Sequence, residues 1–251
     1  MLTVYGRRNI LRKLVLFDLD NTLLPFHSYW EKANVEIFNS SSLTKNLNYE
    51  SFINLYRKYD KELWELHLQQ LISLDELRQQ RLIKTLNDFE IKISIDESQN
   101  YFVEFFNFLI NSIVSDEKIN NMLLSIKEYY DIGILTNGKI SEQKQKIKKM
   151  KLNDIISWDH IFISDEIGYE KPDPKAFHYA LDNLNVNYEQ AIYVGDSWSN
   201  DIVGSINAGM RAIWISEDKI IPESTVITKS KIIKIPSIFD LEESLLPVGN
   251  L

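Results

Sequence analysis

Two aspartates two positions apart end the first apolar stretch of the chain. Asp18 and Asp20 lie in the sequence FDLDNT, residues 17–22. In an extended segment, side chains at this spacing share one face, so one carboxylate can point at a substrate while the other flanks it. A carboxylate can attack a phosphoryl group to form an aspartyl-phosphate, and a neighbouring carboxyl can protonate the leaving oxygen and then activate water. The alternative is that Asp18 only ends a strand and Asp20 opens a polar turn.

Two further aspartates follow a later apolar stretch, in the sequence GDSWSND at residues 195–201. A hard cation such as Mg2+ prefers oxygen ligands, and Asp18, Asp196 and a backbone carbonyl could supply them. Asp201 could bind the cation directly or through water. The alternative is a helix N-cap formed by Asp196 or Ser199. Two acidic clusters at strand ends would repel each other unless a cation lies between them, which favours the metal site.

A small hydroxyl residue and a lysine stand between these two acidic clusters. Thr136, Asn137 and Gly138 follow a second apolar stretch and precede a helix, where a hydroxyl and backbone N–H groups can hold phosphate oxygens. Lys171 lies in a loop with prolines at 172 and 174 and could supply positive charge to a phosphoryl transition state. The alternative for Lys171 is a surface residue in an acidic loop.

Short apolar runs alternate with helical stretches over most of the chain. This pattern predicts right-handed βαβ crossovers and a doubly wound, Rossmann-like parallel sheet of the α/β class. Ligands of such sheets bind beyond the carboxyl ends of the strands, where all the residues above would meet. The predicted strands are 14–17, 132–135, 161–163, 191–194 and 212–215, and the predicted helices between and after them are 141–150, 174–184, about 200–208 and 237–245.

Residues 26–112 interrupt this rhythm with long amphipathic helical patterns and no predicted strand. One pattern runs from Phe52 to Leu71, a capping box at Ser73 precedes a helix over 77–89, and a further helix is predicted over about 95–110. We therefore expect a catalytic core of residues 1–25 and 113–251 and an inserted helical cap of residues 26–112. We expect the aromatic residues of the insert to pack within its own core. His27, soon after Asp20, is the expected exception and a candidate substrate-binding residue.

Composition narrows the class of protein. The 251 residues carry a formal net charge of −8, which disfavours a nucleic-acid partner because phosphate binding needs clustered Lys and Arg. The densest basic run, Lys144 to Lys151, is interpreted as the solvated face of one helix. The chain has no cysteine, so thiolate chemistry is excluded, and a reducing compartment fits. No membrane-spanning stretch or signal peptide is predicted, and we expect a cytoplasmic monomer or homodimer.

Together, these stretches resemble the motifs of the haloacid dehalogenase-like (HAD) hydrolase superfamily. DLDNT at residues 18–22 resembles its first motif, Thr136 its second, Lys171 its third and GDSWSND its fourth. The resemblance covers about residues 10 to 25 and 113 to 235. The helical insert is similar in position and character to the type-1 cap of the phosphatase branch.

The resemblance implies a role for each matching residue. Asp18 would be the nucleophile, Asp20 the general acid and base, and Thr136 a ligand of the transferring phosphoryl group. Lys171 would steady nucleophile and phosphate, with Asn137, Gly138 and His27 as further phosphate- or substrate-binding candidates. Mg2+ would be bound by Asp18, Asp20 through its carbonyl and Asp196, with Asp201 supporting or joining them. Dehalogenases of the family lack the second aspartate, so Asp20 argues against dehalogenation.

The expected activity is Mg2+-dependent hydrolysis of a small soluble phosphomonoester through an aspartyl-phosphate, with a nucleoside 5′-monophosphate among the candidate substrates. A phosphotransferase or phosphomutase would use the same intermediate while excluding water. A non-catalytic binding protein on the same scaffold is the alternative from another class. Such a protein would be expected to have lost one of the key residues, and all of them are present.

Overall fold

The computed structural model describes residues 13–217 and 231–245, and in them a parallel sheet forms the centre of the fold. Its six strands are ordered β3-β2-β1-β4-β5-β6, and every paired neighbour is parallel. The strands are β1 (Leu14–Phe17), β2 (Asp131–Thr136), β3 (Ile161–Ile163), β4 (Ala191–Gly195), β5 (Arg211–Ile215) and β6 (Ile232–Ile235). This arrangement confirms the predicted α/β class with a doubly wound sheet.

The helices connect these strands or lie in the insert. In chain order they are α1 (Phe26–Ser40), α2 (Tyr49–Leu68), α3 (Leu74–Asn87), α4 (Ile95–Ser112), α5 (Glu117–Lys127), α6 (Ile140–Lys149), α7 (Ser164–Ile167), α8 (Pro174–Leu184), α9 (Gly204–Asn207) and α10 (Leu241–Leu245). The chain divides into two compact units: the first comprises the residues up to Phe26 and from Val114 onward, and the second His27–Ile113.

Strand β1 lies at the centre of the first unit, and all of its side chains are fully buried. Phe17 is in register with Ile134 of β2 on one side and Val194 of β4 on the other. The residues that follow these positions therefore reach the same edge of the sheet. The order of the strands reverses at β1 and β4, and such switch points form the ligand-binding crevices of open α/β sheets.

The second unit is a helical bundle in which no residue forms a strand. Ser73 and Ser94 each accept a hydrogen bond from the backbone N–H three residues later, and the glutamate there bonds back to the cap. These capping boxes satisfy free N–H groups at the start of α3 and α4. Helix α3 consequently begins at Leu74, one residue after its cap, and not at Leu77 as predicted from the first periodic apolar residue.

Several elements differ from the prediction. A sixth strand, β6, was not predicted and pairs with β5. The helix predicted over 200–208 begins at Trp198 as a π-helical turn to Val203 and continues as α9. Helices α1 and α5 were not predicted. The predicted tail helix is a 3-10 turn at Ile238–Asp240 followed by α10.

Candidate active site

Lys171 lies among the carboxylates at the carboxyl edge of the sheet. Its Nζ donates 2.7 Å hydrogen bonds to Oδ1 of Asp18 and to Oδ1 of Asp201. The lysine is only 4% exposed and Asp201 only 1%. A buried charge is tolerated only when it is paired and hydrogen-bonded, which both carboxylates ensure here. The surface alternative for Lys171 is therefore wrong.

A tyrosine completes the environment of this ammonium group. Nζ of Lys171 donates a third 2.7 Å hydrogen bond to the hydroxyl of Tyr193, which in turn donates to the carbonyl oxygen of Leu135 at 2.7 Å. Burial, followed by the charge of Asp201, raises the pKa of Tyr193 well above its ordinary value, so the phenol keeps its proton. All three donors of the lysine are thereby used. Sequence reasoning missed Tyr193, because it appeared only as an apolar position of a buried strand.

The side chain of Asn137 holds the backbone of Lys171 on both sides. Its amide Nδ2 donates to the Lys171 carbonyl oxygen, and its Oδ1 accepts from the Lys171 N–H, each at 2.9 Å. Two reciprocal bonds fix the loop against the end of β2. The side chain of Asn137 is thereby engaged, and its predicted phosphate-binding role stays a prediction.

The π-helical turn after β4 presents Asp201 to the lysine. The N–H of Ile202 bonds to the carbonyl oxygen of Ser197, five residues earlier, at 3.2 Å, and such turns occur frequently at functional sites. Oδ2 of Asp201 accepts from the Ser197 N–H at 2.9 Å. A Cβ on Gly195 would collide with this carboxylate. Glycine at 195 therefore allows Asp201 to approach the strand.

Three carboxylates form a cluster that can hold a metal ion. Oxygen atoms of Asp18, Asp196 and Asp201 all lie within 4.8 Å of one another. Burial, opposed by Lys171 and reinforced by Asp201, raises the pKa of Asp18 to about 8. Burial and then Asp201 raise the pKa of Asp196 to about 6. Carboxylates that are this crowded and desolvated gain from a divalent cation, and an all-oxygen donor set suits a hard one.

The carboxylate of Asp20 does not contact Lys171 but binds two residues of α6. Lys146 Nζ donates to its two oxygens at 2.9 and 2.7 Å, and Gln143 Nε2 donates to Oδ2 at 3.1 Å. Lys146 is 4% exposed, so the interpretation of the basic run as one solvated face is wrong at this residue. The missed signal was the spacing of Gln143, Lys146, Ile147 and Met150, which places both polar residues on the buried stripe of α6.

Thr136 and Gly138 lie at the end of β2, close to the same glutamine. Thr136 is buried, and its hydroxyl accepts from Gln143 Nε2 at 3.2 Å. The Gly138 N–H already donates to the Ser164 hydroxyl at 3.0 Å. Thr136 and Asp20 therefore share one donor, Gln143 Nε2. A phosphate role for Gly138 would require its bond to Ser164 to be exchanged.

His27 belongs to the helical unit. Its side chain is 77% exposed, its Nε2 lies 3.6 Å from Glu31, and its ring stacks on Trp30 at 6.4 Å between centroids. Its predicted contact with substrate stays a prediction. Tyr56, by contrast, is buried within the unit with the Arg81 guanidinium 4.5 Å from its ring centroid, as expected for an aromatic residue of the helical core.

Within residues 13–217 and 231–245, no helix combines the length and hydropathy that crossing a membrane requires.

Comparison with known proteins places these residues in a family. The model of the haloacid dehalogenase-like hydrolases matches residues 15–215. A glyceraldehyde 3-phosphate phosphatase of Pyrococcus furiosus is 43% identical over 93 residues, which are 37% of this chain and 38% of that protein. The chain thus covers less than half of that relative.

Two other proteins are similar over most of their length. The pyrimidine 5′-nucleotidase YjjG of Escherichia coli is 28% identical over 203 residues, covering 80% of this chain and 85% of that protein. The structure of the HAD-hydrolase YfnB of Bacillus subtilis, bound to magnesium, matches with a TM-score of 0.78 and 22% identity. It covers 93% of this chain and 98% of that one. The family match, the parallel sheet and the four motifs at its carboxyl edge lead to one conclusion: the chain belongs to the haloacid dehalogenase-like hydrolase family.

Proposed function

We propose that the protein is a Mg2+-dependent phosphatase that hydrolyses small phosphomonoesters through an aspartyl-phosphate on Asp18. The observation that carries this proposal is the buried contact of Asp18 with Lys171, at the edge of a three-carboxylate cluster. A carboxylate held through one oxygen by an ammonium group presents its other oxygen to an incoming phosphorus atom. The lysine also offsets charge on the phosphoryl group as it transfers.

The charges of the site support a divalent cation. Asp18, Asp20, Asp196 and Asp201 face two buried lysines, Lys171 and Lys146. When all are ionised, two negative charges remain, which one Mg2+ would balance. Asp18 and Asp196 would hold the ion together with the Asp20 carbonyl oxygen, while Asp201, whose oxygens bind Lys171 and Ser197, would support it. When bound, Mg2+ would polarise the phosphoryl oxygens and orient the phosphate.

The chain's own residues would then carry the reaction in two steps. Asp18 attacks phosphorus, the bond to the leaving oxygen breaks, and Asp20, which has to carry a proton at this point, passes that proton to the leaving oxygen. A water molecule next attacks the phosphorus of the aspartyl-phosphate while Asp20 takes the proton, and free phosphate and the Asp18 carboxylate result. Thr136 would hold a phosphoryl oxygen throughout. Asp20 thus returns to its starting state after each turnover.

The relatives support the substrate class. One is named a glyceraldehyde 3-phosphate phosphatase and another a pyrimidine 5′-nucleotidase. Both names denote enzymes that act on small phosphorylated metabolites. We include nucleoside 5′-monophosphates among the candidate substrates because the nucleotidase matches 80% of this chain. We further propose that residues 26–112 act as a cap that selects the substrate, with His27 as a contributing side chain.

Phosphate release from a panel of nucleotides, sugar phosphates and short alkyl phosphates tests the proposal. We expect release with Mg2+, loss of release with EDTA, and loss in the Asp18→Asn variant. An isomerised product without phosphate would indicate a phosphomutase instead. No release from any compound, with Mg2+ binding retained, would favour a non-catalytic binding protein and contradict the proposal.

A further inference from the structure

A second buried lysine supports the carboxylate proposed as general acid and base. Lys146 lies on α6, its side chain is 5% exposed, and its Nζ contacts both oxygens of Asp20 at 2.9 and 2.7 Å. The ring of Phe26 lies against the same ammonium group, 4.1 Å from Nζ to the ring centroid. A contact to both oxygens restrains rotation of the carboxylate plane. Lys146 therefore fixes both the place and the orientation of Asp20.

Gln143, one turn earlier on α6, links Asp20 to the proposed phosphoryl-binding threonine. Its Nε2 lies 3.1 Å from Oδ2 of Asp20, 3.2 Å from the Thr136 hydroxyl and 2.5 Å from the Asn137 carbonyl oxygen. An amide nitrogen has only two hydrogens, so the three acceptors share them. Its Oε1 is buried without a hydrogen-bond partner among the described residues. The amide is thus oriented so that, among the residues that the structure describes, its donor is used while its acceptor is not.

Space for this glutamine depends on Gly138. A Cβ at residue 138 would lie 2.8 Å from Gln143 Nε2, and the φ of 132° at this residue is one that other residues rarely adopt. The end of β2 is thus built to admit the amide between Thr136 and Asp20. Because this arrangement spans two elements, it is more than a contact within one helix.

We propose that Lys146 and Gln143 are positioning residues that aim the Asp20 carboxyl at the leaving oxygen. This inference rests on the proposed function, in which Asp20 transfers that proton. Neither residue reacts: the proton passes from Asp20 to the leaving oxygen, and Lys146 keeps its own. The other role for the pair is structural, as an anchor that holds α6 against the loop of Asp20.

Substrates with different leaving groups distinguish the positioning role from the structural role. An alkoxide is a poor leaving group and needs a proton from a well-aimed acid, whereas 4-nitrophenolate leaves without one. Proton transfer by a positioned side chain contributes about 10²–10⁴-fold. A variant that misplaces Asp20 should therefore lose kcat/KM for alkyl phosphates and retain it for 4-nitrophenyl phosphate. A variant that only loosens α6 should lose both alike.

The experiment compares Lys146→Met with Lys149→Met, an exposed lysine on the same helix. The kcat/KM is measured with ethyl phosphate and with 4-nitrophenyl phosphate at saturating Mg2+. For Lys146→Met we expect a fall of about 100-fold with the alkyl ester and less than about threefold with the aryl ester. Lys149→Met should match the wild type with both esters. Asp20→Asn should show the same selective loss, and adding Lys146→Met to it should change little, because the two act through one group.

Each outcome decides the question. Equal losses with both esters, or a further large loss in the double variant, would overturn the positioning role while the proposed function stands. A wild type that turns over neither ester nor the metabolite panel would overturn both. If Lys146→Met fails to fold by circular dichroism, Gln143→Leu carries the test, with a smaller loss expected in the same direction. An absence of ester selectivity in Gln143→Leu would then reject the inference.

Discussion

The hydroxyl of Tyr193 lies between the ammonium group of Lys171 and the carbonyl oxygen of Leu135, at 2.7 Å from each. Tyr193 belongs to β4 and Leu135 to β2, so the hydroxyl bridges the two neighbours of β1. Phe177 packs against the tyrosine ring with 5.1 Å between ring centroids. The lysine that contacts Asp18 is thus held by the sheet itself, not by its own loop alone.

Replacing Tyr193 by Phe should weaken both stability and turnover. The change leaves one lysine proton and the Leu135 carbonyl oxygen buried without this partner, and a buried unsatisfied group costs about 1–3 kcal/mol. We expect a corresponding fall in the free energy of unfolding measured in urea, and a lower kcat. Tyr129→Phe, at an exposed tyrosine, is the matched control. A Tyr193→Phe protein as stable and active as the wild type would contradict the bridging role.

Replacing Asp18 by Asn should abolish turnover while leaving the fold intact. The amide has the shape of the carboxylate but is no nucleophile, so no covalent intermediate forms. We expect a loss of at least about a thousandfold in kcat, as for other covalent nucleophiles. Steady-state kinetics and far-ultraviolet circular dichroism check both parts. Near-normal activity in a folded Asp18→Asn protein would exclude the proposed mechanism.

The metal-free protein should lose stability as the pH rises. The folded-state pKa values of Asp18, about 8, and Asp196, about 6, lie above the ordinary value of 3.8. Between the ordinary pKa of 3.8 and the folded-state pKa values, the folded protein therefore binds more protons than the unfolded chain does. The contribution of these two carboxyl groups to the free energy of unfolding is complete below about pH 4 and is lost as the pH rises through about 6 and about 8.

Mg2+ should reverse this loss, because the cation replaces the protons in the cluster. We expect the increase in Tm on adding Mg2+ to be larger at pH 8 than at pH 5. Thermal unfolding in EDTA and in excess Mg2+ at both pH values measures it. Asp196→Asn should show a smaller increase at pH 8. An increase that does not depend on pH would argue against metal binding by these carboxylates.

Replacing Gly195 by Ala should impair the metal site. The added methyl group would collide with the Asp201 carboxylate, and such overpacking costs about 1–3 kcal/mol. Because Asp201 also holds Lys171, we expect weaker Mg2+ binding together with lower stability. Urea unfolding and calorimetric Mg2+ titration check the two effects. Unchanged Mg2+ affinity would show that the approach of Asp201 to the strand is not needed.

The sequence alone determined the sheet and most of its edge. Leu14–Phe17 and Ala191–Gly195 are fully buried strands because a parallel sheet covered on both faces requires continuous apolar runs. Asp18, Thr136 and Asp196 lie at or just after the ends of such runs. Because parallel strands end at the same edge of the sheet, the sequence predicts that these residues lie close together. Strand β6 escaped prediction, because Ile232–Ile235 is an edge strand with an exposed residue and a lysine.

Only the tertiary structure decided which polar groups pair inside the site. Lys146 was predicted to be solvated because it lies in a dense basic run, and its partner Asp20 lies 126 residues away in the sequence. Tyr193 and Gln143 were hidden for the same reason: their hydrogen bonds cross from strand to loop and from helix to loop. Local periodicity predicts which residues are buried, whereas the partner that makes burial of a polar group favourable is set by the fold.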